Sequence, residues 1–509
     1  MYVLGVDMGT TSTKAVLFDR DGRACGSHYE EYPLHATAAG AAEQDPDRIV
    51  EAALSAIAST IRNNDAVGKV AAVCFSAAHH GMMALDADGV PLTRLQTWAD
   101  TRSVRQMETI RNASDAMTLY QATGTPLHPM SLVGKIAWLR EEKPEIFEKT
   151  AMIAAAKEYL LFRLFGKWVI DHSVASATGL LNIHTRTWDT LALRKAGITA
   201  ERLPEPVPTD HVLSGLVPSM AERLGLDADT PFVTGAGDAA LSNLGLNAID
   251  PGVVAVSIGT SGAVRMMTPS AQPEPKGRLF CYVVDESRWI IGGAASSGGV
   301  SLRWIRDQLC DADIAEAERR GCDPYEIVCE RAASVTPGAD GLLFLPYLSG
   351  ERAPLWDASA RGSFIGLTLS HTKNHMVRAA MEGILFNLRG ILTLVEKLMG
   401  PSVKIQASGG FARSPLWCQM MADVFNRPVF IPVSFESPCL GAAVMAMRRI
   451  GWIDDIHAVD AFVGAGVEYR PDPDAAQVYD RMFPLFDDLS HKLLPGNAAL
   501  RRLQDEASA

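Results

Sequence analysis

The sequence lacks most of the features that mark a specialised chain. Its eight cysteines are scattered singly, and no two have the C-x-x-C spacing of a zinc knuckle or a redox centre. That excludes a disulfide framework and suits idle thiols in a reducing cytoplasm. No apolar run approaches the roughly 18 residues a spanning helix needs. The first residues enter a strand without a basic region or a cleavage site, so neither a membrane span nor a secretory signal is expected. Positive charge is in deficit: 47 Lys and Arg face 59 Asp and Glu, for a formal net charge of -12. A broad nucleic-acid surface is therefore not expected, and an anionic ligand must be met by local cations or helix N-termini. Low-complexity tracts, a G-x-x-x-x-G-K-[ST] loop and a G-x-G-x-x-G fingerprint are all missing.

What is present is an α/β pattern in 509 residues, a length that points to two domains. Residues 3–7 and 14–18 read as a hairpin, with Asp21-Gly22 turning the chain after the second strand. Residues 45–61 read as a helix capped by Asp45, with Pro46 in its first turn and Ile49, Ala53, Ile57 and Ile61 along one face. Residues 70–76 form an apolar run suited to a buried strand, and another strand at 231–234 leads into Gly235-Ala236-Gly237-Asp238. Near the midpoint "VVAVSIGTSG" (253–262) echoes "LGVDMGTTS" (4–12) without the Asp, a weak internal similarity. Residues 403–410 predict a further strand, and 415–425 and 376–398 predict helices. The turn residues at 247–252 place the division there, giving domains 1–247 and 248–509.

Three strand-to-turn junctions share one design: Gly9-Thr10-Thr11, Gly259-Thr260-Ser261 and Gly409-Gly410. Glycine lets a backbone approach a ligand closely, and successive N–H groups and hydroxyls donate to phosphate oxygens. Any one of these turns is readily just a turn. Asp7, Gly9, Thr10, Thr11, Ser12 and Lys14 together favour a phosphate cradle, with Asp7 placed to hold Mg²⁺ through water. Asp238 is either a helix cap or a general base facing a hydroxyl. A helix N-terminus favours the ionised carboxylate, and phosphoryl transfer tolerates a weak base because its transition state is loose. His79 and His80 at a strand end, with Trp98, Asp100, Arg102 and His128 downstream, suit a polyol pocket.

These residues carry a family likeness. "GVDMGTTSTKAVLFD" (5–19), "KIAWLREE" (135–142) and "GSFIGLTLSHTKNHMVRAAMEG" (362–383) resemble the motifs of the FGGY carbohydrate kinases, with Leu132 standing where Pro, Ser or Thr is usual. The resemblance runs over essentially the whole chain. It implies two RNase H-like domains of the actin-like ATPase class with a central cleft, and ATP and Mg²⁺ as cofactors. Residue by residue it implies that Asp238 is the base and that Thr10, Thr11, Ser12 and Lys14 embrace phosphates. It sets Gly259 and Thr260 in a second phosphate turn, Gly299 and Arg303 at nucleotide-contact positions, and Gly409, Gly410 and Ser414 beside adenosine. His79 and His80 fall where the family contacts sugar.

Stretches such as "FCYVVDESRWIIGG" (280–293) look most like the branch acting on gluconate, with xylulokinases close behind. His79, His80, Arg102 and His128 could offset a sugar carboxylate. The expected partners are thus ATP and a small sugar or sugar acid, not nucleic acid or membrane, and the assembly this reading admits is a homodimer. A ribokinase-like kinase would lack the leading hairpin. A chaperone-type or actin-like ATPase would need a peptide-binding or polymer-forming module, and a sugar-kinase-like regulator a DNA-binding segment.

Overall fold

The computed structural model describes residues 1–433, 436–464 and 466–508. The chain forms two compact units. The first comprises Met1–Ile249, Met267–Ile291 and Glu436–Gly464; the second comprises the remainder. The chain thus first leaves the N-terminal unit two residues after the expected division, but two later segments return to it. Those excursions join segments far apart in sequence, which turn signals cannot reveal.

The first unit is built on a six-stranded sheet in the order Val212–Leu213, Phe232–Gly237, Val70–Ala77, Tyr2–Met8, Ser12–Phe18, Ala24–Glu31. Tyr2–Met8 and Ser12–Phe18 are antiparallel, while Val70–Ala77 runs parallel to Tyr2–Met8 and to Phe232–Gly237. Central strands covered on both faces need apolar residues at successive positions, and Val70–Ala77 is buried along nearly its whole length. Leu4, Val6 and Met8 join Ile49, Ala53, Ile57 and Ile61 of the helix Pro46–Asn63 in one apolar core. That helix is capped as expected, Asp45 accepting from the Arg48 N–H.

Alternation along a strand points Gly5 to the opposite face, and there the helix Ser437–Arg449 lies close. A Cβ on Gly5 would stand 2.1 Å from the Cys439 carbonyl oxygen. The same helix crosses Asp238–Gly245 backbone against backbone: a Cβ on Gly441 would be 2.1 Å from the Leu241 oxygen, and one on Gly245 would be 1.9 Å from that of Ser437. This crossing fixes the helix whose first residue is Asp238.

The second unit repeats the scheme. Its sheet pairs, in order, Trp289–Ala295, Gly262–Thr268, Val253–Ile258, Lys404–Ser408, Val429–Ile431 and Val467–Tyr469. Val253–Ile258 is antiparallel to Gly262–Thr268 and parallel to Lys404–Ser408, which is parallel to Val429–Ile431. The hairpin followed by parallel strands therefore occurs in both units, giving the echo between 4–12 and 253–262 a topological meaning. The helices Lys373–Met399 and Pro415–Phe425 cover the two predicted spans. Glu382 is buried and accepts from Gly338 N–H, Arg378 and Tyr479, a structural network. Among the described residues no helix is long and apolar enough to cross a membrane.

Gly441→Ala is expected to cost about 1–3 kcal/mol through overpacking against the Leu241 carbonyl. Differential scanning calorimetry should show the melting temperature falling by several degrees, and an unchanged value would contradict the close crossing.

Candidate functional site

In the first unit the turn 9–11 joins two strands of the sheet, and each of its carbonyls is tied back. Tyr32 Oη donates to the Gly9 oxygen at 2.6 Å, Gln44 Nε2 to the Thr10 oxygen at 2.5 Å, and the Tyr32 N–H to the Thr11 oxygen at 3.0 Å. Trp98 Nε1 donates to Thr10 Oγ1 at 3.0 Å. One bond thus links a residue expected at the sugar to one expected at a phosphate. Thr10, His79 and Trp98 also line one small cavity of 30 Å³, enough for about one or two waters.

Asp7, next to last in the strand Tyr2–Met8, pairs with Ser76, whose hydroxyl donates to Asp7 Oδ1 at 2.6 Å. Burial pushes the Asp7 carboxyl up to about 7; the Ser76 bond opposes this, and the nearby charges of Asp238 and Glu436 add to it. Lys14 pairs with Glu436, a carboxylate more than four hundred residues away in sequence. Among the described residues no group of three or more His, Cys, Asp or Glu side chains could form a metal cage. A lone carboxylate with acidic neighbours fits Mg²⁺, which keeps several waters and takes phosphate oxygens as ligands.

Asp238 does not cap its helix. The N-cap is Gly237, and Asp238 occupies the first helical position with Oδ1 accepting from the Ala239 N–H at 2.7 Å. His79 Nδ1 stands 3.4 Å from the same oxygen. The strand Phe232–Gly237 continues through the glycines to Asp238's doorstep, three residues beyond the predicted strand end. Close pairing with Val70–Ala77 extends it.

The other predicted residues divide. Asp100 and Arg102 bind each other, Nη2 to Oδ2 at 2.7 Å and Nε to Oδ2 at 3.0 Å. Arg102 also donates to Glu43 at 2.5 Å, and its guanidinium lies 4.5 Å from the centre of the Trp138 ring. With two carboxylates against it, Arg102 has little charge left to offset a sugar acid, and the pair braces the loop after Trp98. His128 lies in the loop before the helix Leu132–Glu142, its Nδ1 accepting from the Met130 N–H at 3.2 Å.

Three further residues were not singled out from the sequence. The Tyr282 ring stands 5.4 Å from that of His79, and its hydroxyl is 3.4 Å from His80 Nε2. Lys135 donates to the carbonyls of His80 and Thr97. Glu436 meets Lys14. Only Lys135 left a signal, as a cation inside an apolar helical stretch.

The second unit contains its own cavity of 850 Å³, within the range of small-molecule sites. Gly259, Thr260, Gly299, Arg303, Gly410 and Ser414 all line it, so six predicted residues share one space. The N–H groups of Gly299 and Val300, opening the helix Gly299–Leu309, donate to the Gly259 and Thr260 carbonyls at 2.8 and 3.0 Å. Gly409 adopts φ +112, and a Cβ there would be 2.3 Å from the Ile258 oxygen, so glycine alone fits between the strands. Ser414 caps the helix Pro415–Phe425 by accepting from the Trp417 N–H.

Two mixed-sheet units, each with a rigid glycine-hydroxyl turn between antiparallel strands, define an α/β protein of the actin-like ATPase fold. Comparison with known proteins gives the same answer in finer grain. Residues 2–245 match the N-terminal domain, and residues 254–450 the C-terminal domain, of the FGGY family of carbohydrate kinases. A gluconokinase from Bacillus subtilis is 45% identical over 97% of this chain and 96% of its own. The crystal structure of a gluconate kinase from Lactobacillus acidophilus superposes with a TM-score of 0.93 at 37% identity, covering 98% of this chain and 99% of that one. A ligand-bound xylulose kinase from the same organism superposes with a TM-score of 0.91 at 37% identity, covering 97% and 98%. The chain belongs to the FGGY family of carbohydrate kinases and, as such, uses ATP.

The Asp7 carboxyl has an ordinary value of 3.8 and rises to about 7 in the fold. Between those values the native protein holds a proton that the unfolded chain has released. Its stabilising effect is complete below the ordinary value and is lost as pH rises through the folded one. Without divalent cation, Asp7→Asn should therefore melt above the wild type, by a margin that grows from about pH 5 to about pH 8. A margin independent of pH would show that Asp7 is not held in its neutral form.

Proposed function

We propose that the chain transfers the γ-phosphoryl group of ATP to the terminal hydroxyl of D-gluconate, giving 6-phosphogluconate and ADP. The observation that carries the acceptor is the 45% identity to the Bacillus subtilis gluconokinase over nearly the full length of both chains. The chemistry rests on Asp238, set at the first turn of its helix beside His79. Asp238 orients the hydroxyl. As the oxygen bonds to the γ-phosphorus and the bond to the ADP oxygen breaks, the hydroxyl proton passes to its carboxylate.

The acceptor lies against His79, His80 and Trp98, with Tyr282 behind the histidines and the Asp100–Arg102 pair bracing the loop. His128 is the further residue assigned to this pocket. Thr10, Thr11, Ser12 and Lys14 face phosphate oxygens from the first unit. The cavity lined by Thr260, Arg303, Gly410 and Ser414 receives the nucleoside. Asp7 holds a hydrated Mg²⁺, which when bound offsets phosphate charge.

A second reading has its own support: the solved xylulose kinase is as similar in sequence as the solved gluconate kinase. ADP release with MgATP, measured with gluconate, D-xylulose, L-ribulose, glycerol or no acceptor, separates the two. Stimulation by gluconate above all others is expected, and stimulation by a ketopentose instead would overturn the acceptor. Asp238→Asn is expected to lower kcat by roughly 10² or more while nucleotide affinity stays unchanged. Retention of more than a small fraction of turnover would remove Asp238 from the role of base.

A further inference from the structure

The geometry points to Lys135 as a positioning residue for the acceptor: its ammonium clamps together the two segments that carry the sugar-facing side chains. This rests on the reading of His79, His80 and Trp98 given above. Lys135 is the fourth residue of the helix Leu132–Glu142 and is 1% exposed. Its helical neighbours Leu132, Val133, Ile136 and Leu139 are buried apolar residues. An ammonium there is expensive, because a charge taken out of water loses its hydration. Burial pushes it down to about 7, partly opposed by Asp100. Volume alone would be satisfied by methionine.

Lys135 Nζ donates to two main-chain oxygens, that of His80 at 2.7 Å and that of Thr97 at 2.6 Å. Both lie where regular pairing has just ended. The two segments meet at a backbone bridge, Met82 N–H to the Gln96 oxygen and Gln96 N–H to that of Met82. Beyond the bridge the chains part, and Lys135 spans the gap.

On one side His80 has φ +64, a left-handed conformation that a residue with a side chain adopts only when its surroundings hold it. That turn aims His80 at Tyr282 and leaves His79 beside Asp238. On the other side Thr97 precedes Trp98, whose indole reaches Thr10 in the phosphate turn. One cation thus sets the separation of two histidines from the tryptophan, across which an acceptor must fit. A site misplaced by a fraction of an ångström loses binding or orientation without losing its fold.

The test compares wild type with Lys135→Met and Lys135→Arg by steady-state kinetics and by amide hydrogen exchange. In Lys135→Met, the KM for the acceptor is expected to rise about tenfold or more while that for ATP stays within about twofold. Exchange should quicken together in residues 79–81 and 97–101 and not in the sheet strands. Lys135→Arg keeps a buried donor cation and should recover part of both effects; if the Met variant does not fold, the Arg variant carries the same pair of readouts. Unchanged exchange in the two segments, or an ATP KM that rises as much as the acceptor's, would overturn the inference. Kinetics use whichever acceptor stimulates the wild type. A failure of gluconate itself therefore overturns the acceptor assignment, while exchange still decides the role of Lys135.

Discussion

A backbone turn can present N–H groups to a polyphosphate only if its carbonyls are occupied elsewhere and the turn cannot sag. The turn at 9–11 meets that demand with three bonds from outside the hairpin, from Tyr32 Oη and N–H and from Gln44. Two neighbouring bonds extend the same frame, Trp98 to Thr10 and Ser76 to Asp7. The rest of the first unit follows from this. The strands carrying the turn are buried on both faces, and glycines let the helix Ser437–Arg449 press against both the sheet and the helix of Asp238. The turn, the proposed metal carboxylate Asp7 and the proposed base Asp238 therefore share one rigid frame, which is what in-line transfer requires of groups that must be aligned before the reaction begins.

The second unit answers the same demand with different residues. Its turn at 259–261 is braced by the first N–H groups of the helix Gly299–Leu309, and its neighbouring strand ends in a glycine pressed against the Ile258 carbonyl. The first unit's turn has acids beside it: Asp7 feels the charges of Asp238 and Glu436, and Glu436 meets Lys14. The second opens onto an 850 Å³ cavity lined by Arg303, Phe411 and Trp417 as well as small residues. One topology thus supports two chemistries, an acidic one suited to a hydrated cation and a roomy one suited to a nucleoside.

Local signals were legible where local physics governs. The helix at 46–63 carries its cap, its proline and its apolar face in consecutive residues, and the Pro415–Phe425 helix likewise. Five of the six predicted residues of the second unit came together because each lies at a strand end or a helix start, and the sixth, Arg303, sits one turn into the helix that Gly299 opens. Arg102 shows the opposite case. Its charge suggested an anion, but Glu43 and Asp100 already meet it, and nothing in the spacing of 43, 100 and 102 announces that encounter. Tyr282 and Glu436 were silent for the same reason, since each reaches its partner across more than two hundred residues of chain.

By itself, then, the sequence determined the elements, the strand-end turns, the candidate base and cradle, and the family likeness, because these depend on residues close together in the chain. Tertiary structure alone decided which charges remain available and which groups are held. It paired Arg102 with Glu43 and Asp100, favoured the neutral form of Asp7 by burying it, set His79 against Asp238 and sank the Lys135 ammonium between two carbonyls. Desolvation and hydrogen bonding act over a few ångströms of space, and the fold, not the order of residues, sets those distances.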